Sequence, residues 1–261
     1  MSMSILKHRR WKRLITNKFP DAWCAFLRKN VPYYGCLPEE AQAELEGLIQ
    51  IFLDDKWFEG AAGLIITDEI RVTIAAQACI LLLHRKTEIY PKLRTIIVYP
   101  NAYLVDHTER MPAGVEIESK DVRHGESWAH GTIVLSWDDV LHGAEQPGDG
   151  ENLVFHEFAH QLDHEGGATN GAPYLPKRSM YAAWAEVLGR EYGDLISAIS
   201  RNRKTLLRSY GATNPAEFFA VITEMFFEQP MELMRDHPDL YKQLQLFYEQ
   251  DPAVWVGRCS D

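Results

Sequence analysis

The order of hydrophobic and polar positions predicts two helices in the first third of the chain. In residues 38–56 (PEEAQAELEGLIQIFLDDK) the large apolar side chains recur at helical spacing. Pro38 suits the first turn of a helix, and the two glutamates after it suit the positive end of the helix dipole. A second helix is predicted to open at Thr67, ahead of two acidic residues, and to run to about His84.

The middle of the chain has β character. Residues 94–99 (RTIIVY) are rich in β-branched side chains and end before a proline. Residues 115–118 predict a short strand. Residues 132–137 (TIVLSW) predict another, which a loop rich in Gly, Glu, Gln and Pro follows.

From Asn152 onward the pattern is helical, in residues 152–163, 179–192, 215–227 and 238–248. A small sheet followed by helices is an α+β order. No segment has the composition of a linker. We therefore predict a single domain over residues 1–261, with a mainly helical part over residues 1–90 and a core over residues 91–261.

Composition and charge are those of a globular protein that does not bind nucleic acid directly. Hydrophobic residues make up 46% of the 261 residues, and the net charge is −10. Such a charge does not favour contact with a phosphate backbone. The exception is a basic cluster around Trp11, which is either a solvated terminus or a contact site for an acidic partner or a lipid surface. Its members are Lys7, Arg9, Arg10, Lys12, Arg13 and Lys18.

Three features predict the compartment. The four cysteines lack the CxxC spacing, which favours free thiols in a reducing environment. The basic N-terminus is not followed by an apolar segment with a cleavage site. The longest apolar run, residues 74–83, is too short to span a bilayer. We therefore expect a cytoplasmic protein without a membrane span.

The segment with the clearest chemistry is residues 155–166, FHEFAHQLDHEG. His156 and His160 are four residues apart, so on a helix both imidazoles point the same way and can reach one ion. Glu157 is rotated to the side, where it can take a proton from a water molecule without being a ligand. The alternative is a polar helix face that happens to be rich in histidine. Asn152 as an N-cap and the Gly-Gly pair after the helix favour the metal site.

Two neighbours on the same helix are not predicted to be ligands. His164 lies two turns beyond His156, about 12 Å along the axis. Side chains on three successive turns cannot converge on one ion at about 2.0–2.1 Å. Asp163 is predicted to orient a histidine or to form a structural bond at the helix end.

A third ligand has to come from another segment. The zinc-binding continuation H-x-x-G-x-x-H does not follow His160. The apolar segment 210–228 (YGATNPAEFFAVITEMFFE) carries Glu217 and Glu224 seven residues apart on one helix face, and buried carboxylates require a partner. Glu217 also has capping-box spacing to Asn214. We predict Glu217 as the ligand, and Glu224 as the alternative ligand or as a carboxylate behind one. Tyr210, seven residues before Glu217, could donate to a developing oxyanion, although a tyrosine in a loop is more often there for packing.

These motifs carry a resemblance to a known family. HEFAHQLD, YGATNPAEFFAVITEMFF and FYEQDP resemble the Mlc titration factor family of gluzincin-type bacterial zinc peptidases, and the resemblance covers about residues 38–252. It implies a zincin-like metallopeptidase domain with a small mixed sheet, an active-site helix and an N-terminal helical part. It also implies one Zn²⁺ per chain on His156, His160 and Glu217, with Glu157 as the catalytic base. Tyr210 falls where related toxin-type metallopeptidases carry a tyrosine that stabilises the transition state.

The resemblance implies a function as well. Members show aminopeptidase-type activity, and they bind the Mlc repressor of glucose phosphotransferase genes. The partners expected here are therefore a peptide substrate and an Mlc-like repressor. In gluzincins an edge strand pairs with the substrate backbone, and residues 132–137 are either that strand or an ordinary core strand. Two further hypotheses remain: a regulator-sequestering protein in which zinc is structural or peptidase activity is dispensable, and a non-peptidase metal hydrolase.

Overall fold

The computed structural model describes residues 5–101, 103–110, 116–123, 125–128, 131–145 and 148–259. For residues 5–8, 103–128, 144–145 and 258–259 within these ranges, only the backbone is described. The helices of this part are α1 Ile5–Leu14, α2 Asp21–Asn30, α3 Pro32–Cys36, α4 Glu39–Asp55, α5 Asp68–Ile80, α6 Trp137–Glu145, α7 Leu153–Glu165, α8 Met180–Ser200, α9 Pro215–Glu228, α10 Pro230–Asp236, α11 Pro238–Tyr248 and α12 Pro252–Cys259. A 3₁₀ turn spans Ser209–Ala212.

Helices α4 and α5 form where the sequence predicts them. Pro38 precedes α4, with Glu39 and Glu40 in the first turn. Thr67 is the N-cap of α5, and its side-chain oxygen accepts a hydrogen bond from the backbone N–H of Ile70. Helix α5 ends at Ile80, before the predicted end at His84, because residues 81–84 form a turn.

The strands are β1 Trp57–Gly60, β2 Thr95–Tyr99, β3 Tyr103–Arg110, β4 Glu116–Arg123, β5 Gly125–Trp128 and β6 Thr132–Ser136. Four of them form a sheet in the order β1-β2-β6-β5. Strands β1, β2 and β6 are parallel, and β5 is antiparallel to β6. Strands β3 and β4 form a separate antiparallel pair. This small mixed sheet among helices confirms the α+β class.

In the middle of the chain, the predicted end of one strand is wrong, and an alternative left open for the same strand is decided. Strand β6 ends at Ser136, and Trp137 begins α6 in place of the predicted loop. Strand β6 lies between β2 and β5, so of the two interpretations of residues 132–137 the ordinary core strand is confirmed and the edge strand is not. Its backbone hydrogen bonds are made to neighbours on both sides, which leaves none for a substrate. Among the described strands, β1 and β5 are at the two edges of this sheet. The predicted strand 115–118 is part of the longer β4, and Val115 lies outside the described residues.

One buried apolar cluster runs from Phe19 to Trp255 and includes residues of α4, α5, α7 and α9. Phe158 of α7 is fully buried in it, with ring centroids 4.8 Å from Tyr90 and 5.8 Å from Phe52. Aromatic contacts of this kind fix the rotation of a helix about its axis. The polar face of α7 is thereby directed toward α9.

The cysteine prediction is partly wrong. Cys24 and Cys79 are free thiols, but Cys36 at the end of α3 is disulfide-bonded. Sequence spacing does not reveal such a bond, because disulfide geometry depends on the distance between the two residues in space. No helix in the described part of the chain is both long and apolar enough to cross a membrane.

Candidate metal centre

The position of the histidines on helix α7 is set by the cap at its N-terminus and by the packing of its buried face. Asn152 is the N-cap, and its Oδ1 accepts a hydrogen bond of 2.9 Å from the backbone N–H of Phe155. Val154 and Phe158 are fully buried, which anchors the opposite side of the helix. His156 and His160, four residues apart, then lie on one face, with their ring centroids 4.9 Å apart.

Helix α9 brings Glu217 to the same place. Asn214 caps this helix and accepts hydrogen bonds from the backbone N–H groups of Ala216 and Glu217, and Pro215 occupies the first turn. The cap thus uses the backbone of Glu217, while the Glu217 carboxylate is directed at the histidines of α7. The described contacts therefore form only the Asn214 half of the predicted capping box, and the Glu217 side chain is a partner of the histidine pair.

The three side chains form a compact triangle. Nε2 of His156 lies 3.2 Å from Nε2 of His160 and 3.0 Å from Oε2 of Glu217. The third edge, from Nε2 of His160 to Oε2 of Glu217, is 3.3 Å. Three ligands of a tetrahedral zinc ion at bond lengths of 2.0–2.1 Å are about 3.3–3.4 Å apart. The nitrogen and oxygen atoms of this set therefore have the chemistry and spacing of one face of a zinc coordination tetrahedron.

The charges of the triangle are complementary. Burial opposes ionisation of both His156 and Glu217, but the hydrogen bonds and opposite charges around each group together outweigh it. The pKa of His156 is raised to about 10 because Glu217 and Glu224 face its two ring nitrogens. Hydrogen bonds to His156 and His160 hold the pKa of Glu217 below its ordinary value. The carboxylate is therefore ionised and available to a cation.

Glu224 lies behind His156 rather than in the triangle. Its Oε1 accepts a hydrogen bond of 2.8 Å from Nδ1 of His156, and its Oε2 accepts one of 2.7 Å from the backbone N–H of Asn152. It also pairs with the guanidinium of Arg208. Only 2% of Glu224 is exposed. Of the two roles predicted for it, this geometry fits the carboxylate that orients a ligand.

Glu157 lies next to the triangle and is almost completely enclosed, with 5% of its surface exposed. Its Oε2 has no hydrogen-bond partner within the described part of the chain. Burial raises the pKa of Glu157, and the neighbouring histidines oppose that effect. A carboxylate whose pKa lies above its ordinary value is a stronger base than one in water.

Tyr210 lies over the site on the 3₁₀ turn that precedes α9. Its ring centroid is 5.8 Å from that of His156, and 53% of the residue is exposed. Gly211 after it is buried against Val221 and Leu195, which holds the turn on the protein surface. The tyrosine is thus brought to the metal centre while its side chain keeps access to solvent.

The other two acidic or histidine candidates lie elsewhere. Asp163 accepts a hydrogen bond of 2.7 Å from the backbone N–H of Gly171, so it forms a structural bond to the loop after α7. His164 lies outside the triangle, and its Nδ1 is 3.5 Å from the hydroxyl of Thr169.

Sequence reasoning missed Arg208, which contacts Glu224 and lies 3.3 Å from Glu151. Arg208 has no local motif, and its partner Glu224 is sixteen residues away in sequence. The one available signal is the apolar setting of Glu224 in α9, since a buried carboxylate there requires a cationic or hydrogen-bonding partner.

Comparisons with known proteins bear directly on this site. The chain matches the family described as glucose-regulated metallo-peptidase M90 over residues 5–249. It is 43% identical to the uncharacterized protein slr2042 of Synechocystis sp. over 94% of this chain and 90% of that protein. It is 30% identical to Mlc titration factor A of Escherichia coli O139:H28, over 89% of this chain and 88% of the relative. Mlc titration factor A of Escherichia coli strain K12 matches with the same identity and coverage.

These matches confirm the resemblance drawn from the motifs. A metallopeptidase family implies a metal, and the donor set of His156, His160 and Glu217 fits one. With a family match over most of its length and relatives aligned over nearly all of it, the chain belongs to the M90 family of glucose-regulated metallopeptidases.

Proposed function

We propose that this protein is a zinc-dependent peptidase with aminopeptidase-type activity, built as a single zincin-like unit over residues 1–261 with its catalytic core in residues 91–261. The observation that carries the proposal is the triangle of two imidazole nitrogens and one carboxylate oxygen, with separations of 3.0, 3.2 and 3.3 Å. His156, His160 and Glu217 would hold one Zn²⁺. When bound there, the ion would supply Lewis-acid polarisation of the substrate carbonyl and activation of water.

Three residues around the triangle supply proton transfer, orientation of a ligand and stabilisation of the oxyanion. Glu157 takes the proton of the attacking water and delivers it to the leaving amine, and its burial beside the histidines supports this role. Glu224 keeps the imidazole of His156 oriented through Nδ1. Tyr210, above His156, donates its hydroxyl proton toward the developing oxyanion.

Strand β5 is the element best placed to hold a peptide. It is one of the two edge strands of the described sheet, it runs antiparallel to β6, and it is the one that packs beside α7. The backbone groups on the outer side of an edge strand can pair with an extended peptide. We assign to β5 the role first considered for residues 132–137.

The test is zinc content together with peptidase activity. Purified protein is expected to hold about one zinc per chain and to hydrolyse aminoacyl chromogenic substrates. His160→Ala and Glu217→Ala should lose zinc and activity together. His164→Ala, on the same helix but outside the triangle, is the matched control and should retain both. Full zinc and activity in Glu217→Ala would refute the ligand set.

A second function is supported by the relatives. Two of them carry the name Mlc titration factor A. We infer that this chain also binds an Mlc-like transcriptional repressor, which would place it in the cytoplasm with that partner. The test is association of the purified chain with the repressor encoded by its own host, measured by analytical ultracentrifugation. A mixture that sediments as the two separate proteins at micromolar concentration would refute the inference.

A further inference from the structure

A cavity of about 280 Å³ lies away from the metal centre. It is partly open to solvent and is bordered by α3, α5, the start of α7, the end of α9 and α12. Its walls are mostly apolar, and the large contributors are Ile80, Phe155 and Phe227. None of the three candidate metal ligands lines it. It is therefore separate from the site described above.

The polar group that most restricts the choice of ligand is the carboxamide of Gln77. Gln77 lies on α5, lines the cavity and is only 1% exposed. Neither its Oε1 nor its Nε2 has a hydrogen-bond partner within the described residues. The hydroxyl of Tyr33, which also lines the cavity, is buried without a partner there as well. A buried polar group left unpaired is destabilising, whereas leucine would fill the same helix position without that cost.

The charge of the walls restricts the ligand. The lining includes the carboxyl group of Glu228, which accepts hydrogen bonds from the backbone N–H of Gly148 and from Nδ2 of Asn152. No lysine, arginine or histidine is among the described lining residues. An anion would therefore meet a carboxyl group without a compensating cation, and a sugar would leave most hydroxyls against apolar walls. A neutral, mostly apolar molecule fits these walls better.

We propose that this cavity binds an uncharged small molecule with an apolar body and a primary amide group. Because Gln77 is only 1% exposed, its side chain would turn toward the cavity on binding; the amide N–H of the ligand would then donate to Oε1 and its carbonyl accept from Nε2, so that both atoms of the carboxamide are paired. The apolar body would lie against Ile80, Phe155 and Phe227. A cavity of 150 Å³ accommodates benzene, so 280 Å³ corresponds to about ten or eleven heavy atoms.

The probe is trans-cinnamamide, titrated into the full-length protein by calorimetry. Saturable binding of one molecule per chain is expected. Gln77→Leu should weaken binding by at least about tenfold, which is the loss expected when paired amide groups are removed. trans-Cinnamate, of the same shape but anionic, should also bind at least about tenfold more weakly. His160→Ala should leave cinnamamide affinity unchanged, so the result does not depend on the metal centre.

Two outcomes would overturn the proposal. One is the absence of saturable cinnamamide binding up to its solubility limit. The other is equal affinity of the parent and Gln77→Leu, which would mean that cinnamamide binds elsewhere. Thermal unfolding guards against a folding defect, because Gln77→Leu should melt at or above the temperature of the parent. If Gln77→Leu melts lower, Gln77→Met takes its place as the apolar variant.

Discussion

Nδ1 of His156 donates a hydrogen bond of 2.8 Å to Oε1 of Glu224, one carboxylate behind the candidate metal centre. A carboxylate can only accept, so Nδ1 carries a proton toward Glu224, and the proton on Nε2, which faces Glu217, is the one that a metal ion would displace. His160 lacks this support, because its buried Nδ1 has no partner among the described residues. The orientation of His156 therefore depends on Glu224 more than that of His160 depends on any one side chain.

The first prediction follows from this dependence. Glu224→Ala should lower zinc affinity by about 10- to 100-fold, because His156 loses the acceptor that fixes its tautomer. Glu224→Gln keeps an acceptor for Nδ1 and should lose less. Competition with a chelator of known affinity measures both. Glu232→Gln, at an exposed glutamate of α10, is the matched control. Unchanged zinc affinity in Glu224→Ala would contradict the role assigned to Glu224.

The second prediction separates catalysis from binding. Glu157→Gln should keep its zinc, because Glu157 is not in the triangle, and should lose about 10²–10⁴-fold in kcat, which is the usual contribution of a general base. Zinc content and turnover are measured on the same preparation. An active variant would remove Glu157 from the mechanism. If the variant still binds an Mlc-like repressor, peptidase activity is dispensable for that function.

Local sequence signals, such as helix caps, predicted the helices that form the site. The features that the sequence did not predict depend on pairing between residues far apart in the chain. Asn152 and Asn214 were recognisable as helix caps because capping depends on neighbours in sequence. The central position of β6 could have been inferred, since a continuous apolar run is typical of a strand covered on both faces. Strand β5 (GESW) has little strand propensity apart from Trp128 and pairs with β6 in the sheet.

The third prediction concerns Tyr210. Tyr210→Phe keeps the ring over His156 but removes the hydroxyl, so kcat should fall by about 10²–10³-fold while zinc content and KM change little. Steady-state kinetics with an aminoacyl chromogenic substrate measures this. Tyr174→Phe, at another exposed tyrosine, controls for removal of a surface hydroxyl. A rise in KM at unchanged kcat would assign Tyr210 to substrate binding instead.

The fourth prediction concerns the N-cap of α7. Asn152 is 3% exposed and makes side-chain hydrogen bonds to Phe155, Gly143 and Glu228. Asn152→Ala should lower the free energy of unfolding by about 2–4 kcal/mol, because it removes the cap and leaves a buried carbonyl and carboxyl group with one partner fewer.

Thr67→Ala is the comparison for this variant. Thr67 caps α5 through a single hydrogen bond of 3.3 Å, so its loss should cost only about 0.5–1 kcal/mol. Urea unfolding at one pH and one zinc concentration ranks the two variants. Equal costs would mean that the contacts of Asn152 beyond the cap contribute nothing to stability.

The fifth prediction is a pH dependence at Glu165, the last residue of α7. Burial raises the pKa of Glu165 from 4.5 to about 7, although Arg85 and two lysines oppose the shift. Between these two values the unfolded chain is ionised while the folded protein still holds the proton, so stability contributed by this residue is lost as the pH rises from about 4.5 to 7.

Glu165→Gln removes that loss. Parent and variant should be nearly equally stable near pH 4.5, and the variant should be more stable by about 2 kcal/mol at pH 8. Urea unfolding at both pH values, with matched zinc content, measures the difference, and other titrating groups cancel between the two proteins. Glu186→Gln, at an exposed glutamate of α8, controls for the loss of a negative charge. A stability difference that is the same at both pH values would show that Glu165 ionises alike in the folded and unfolded chains.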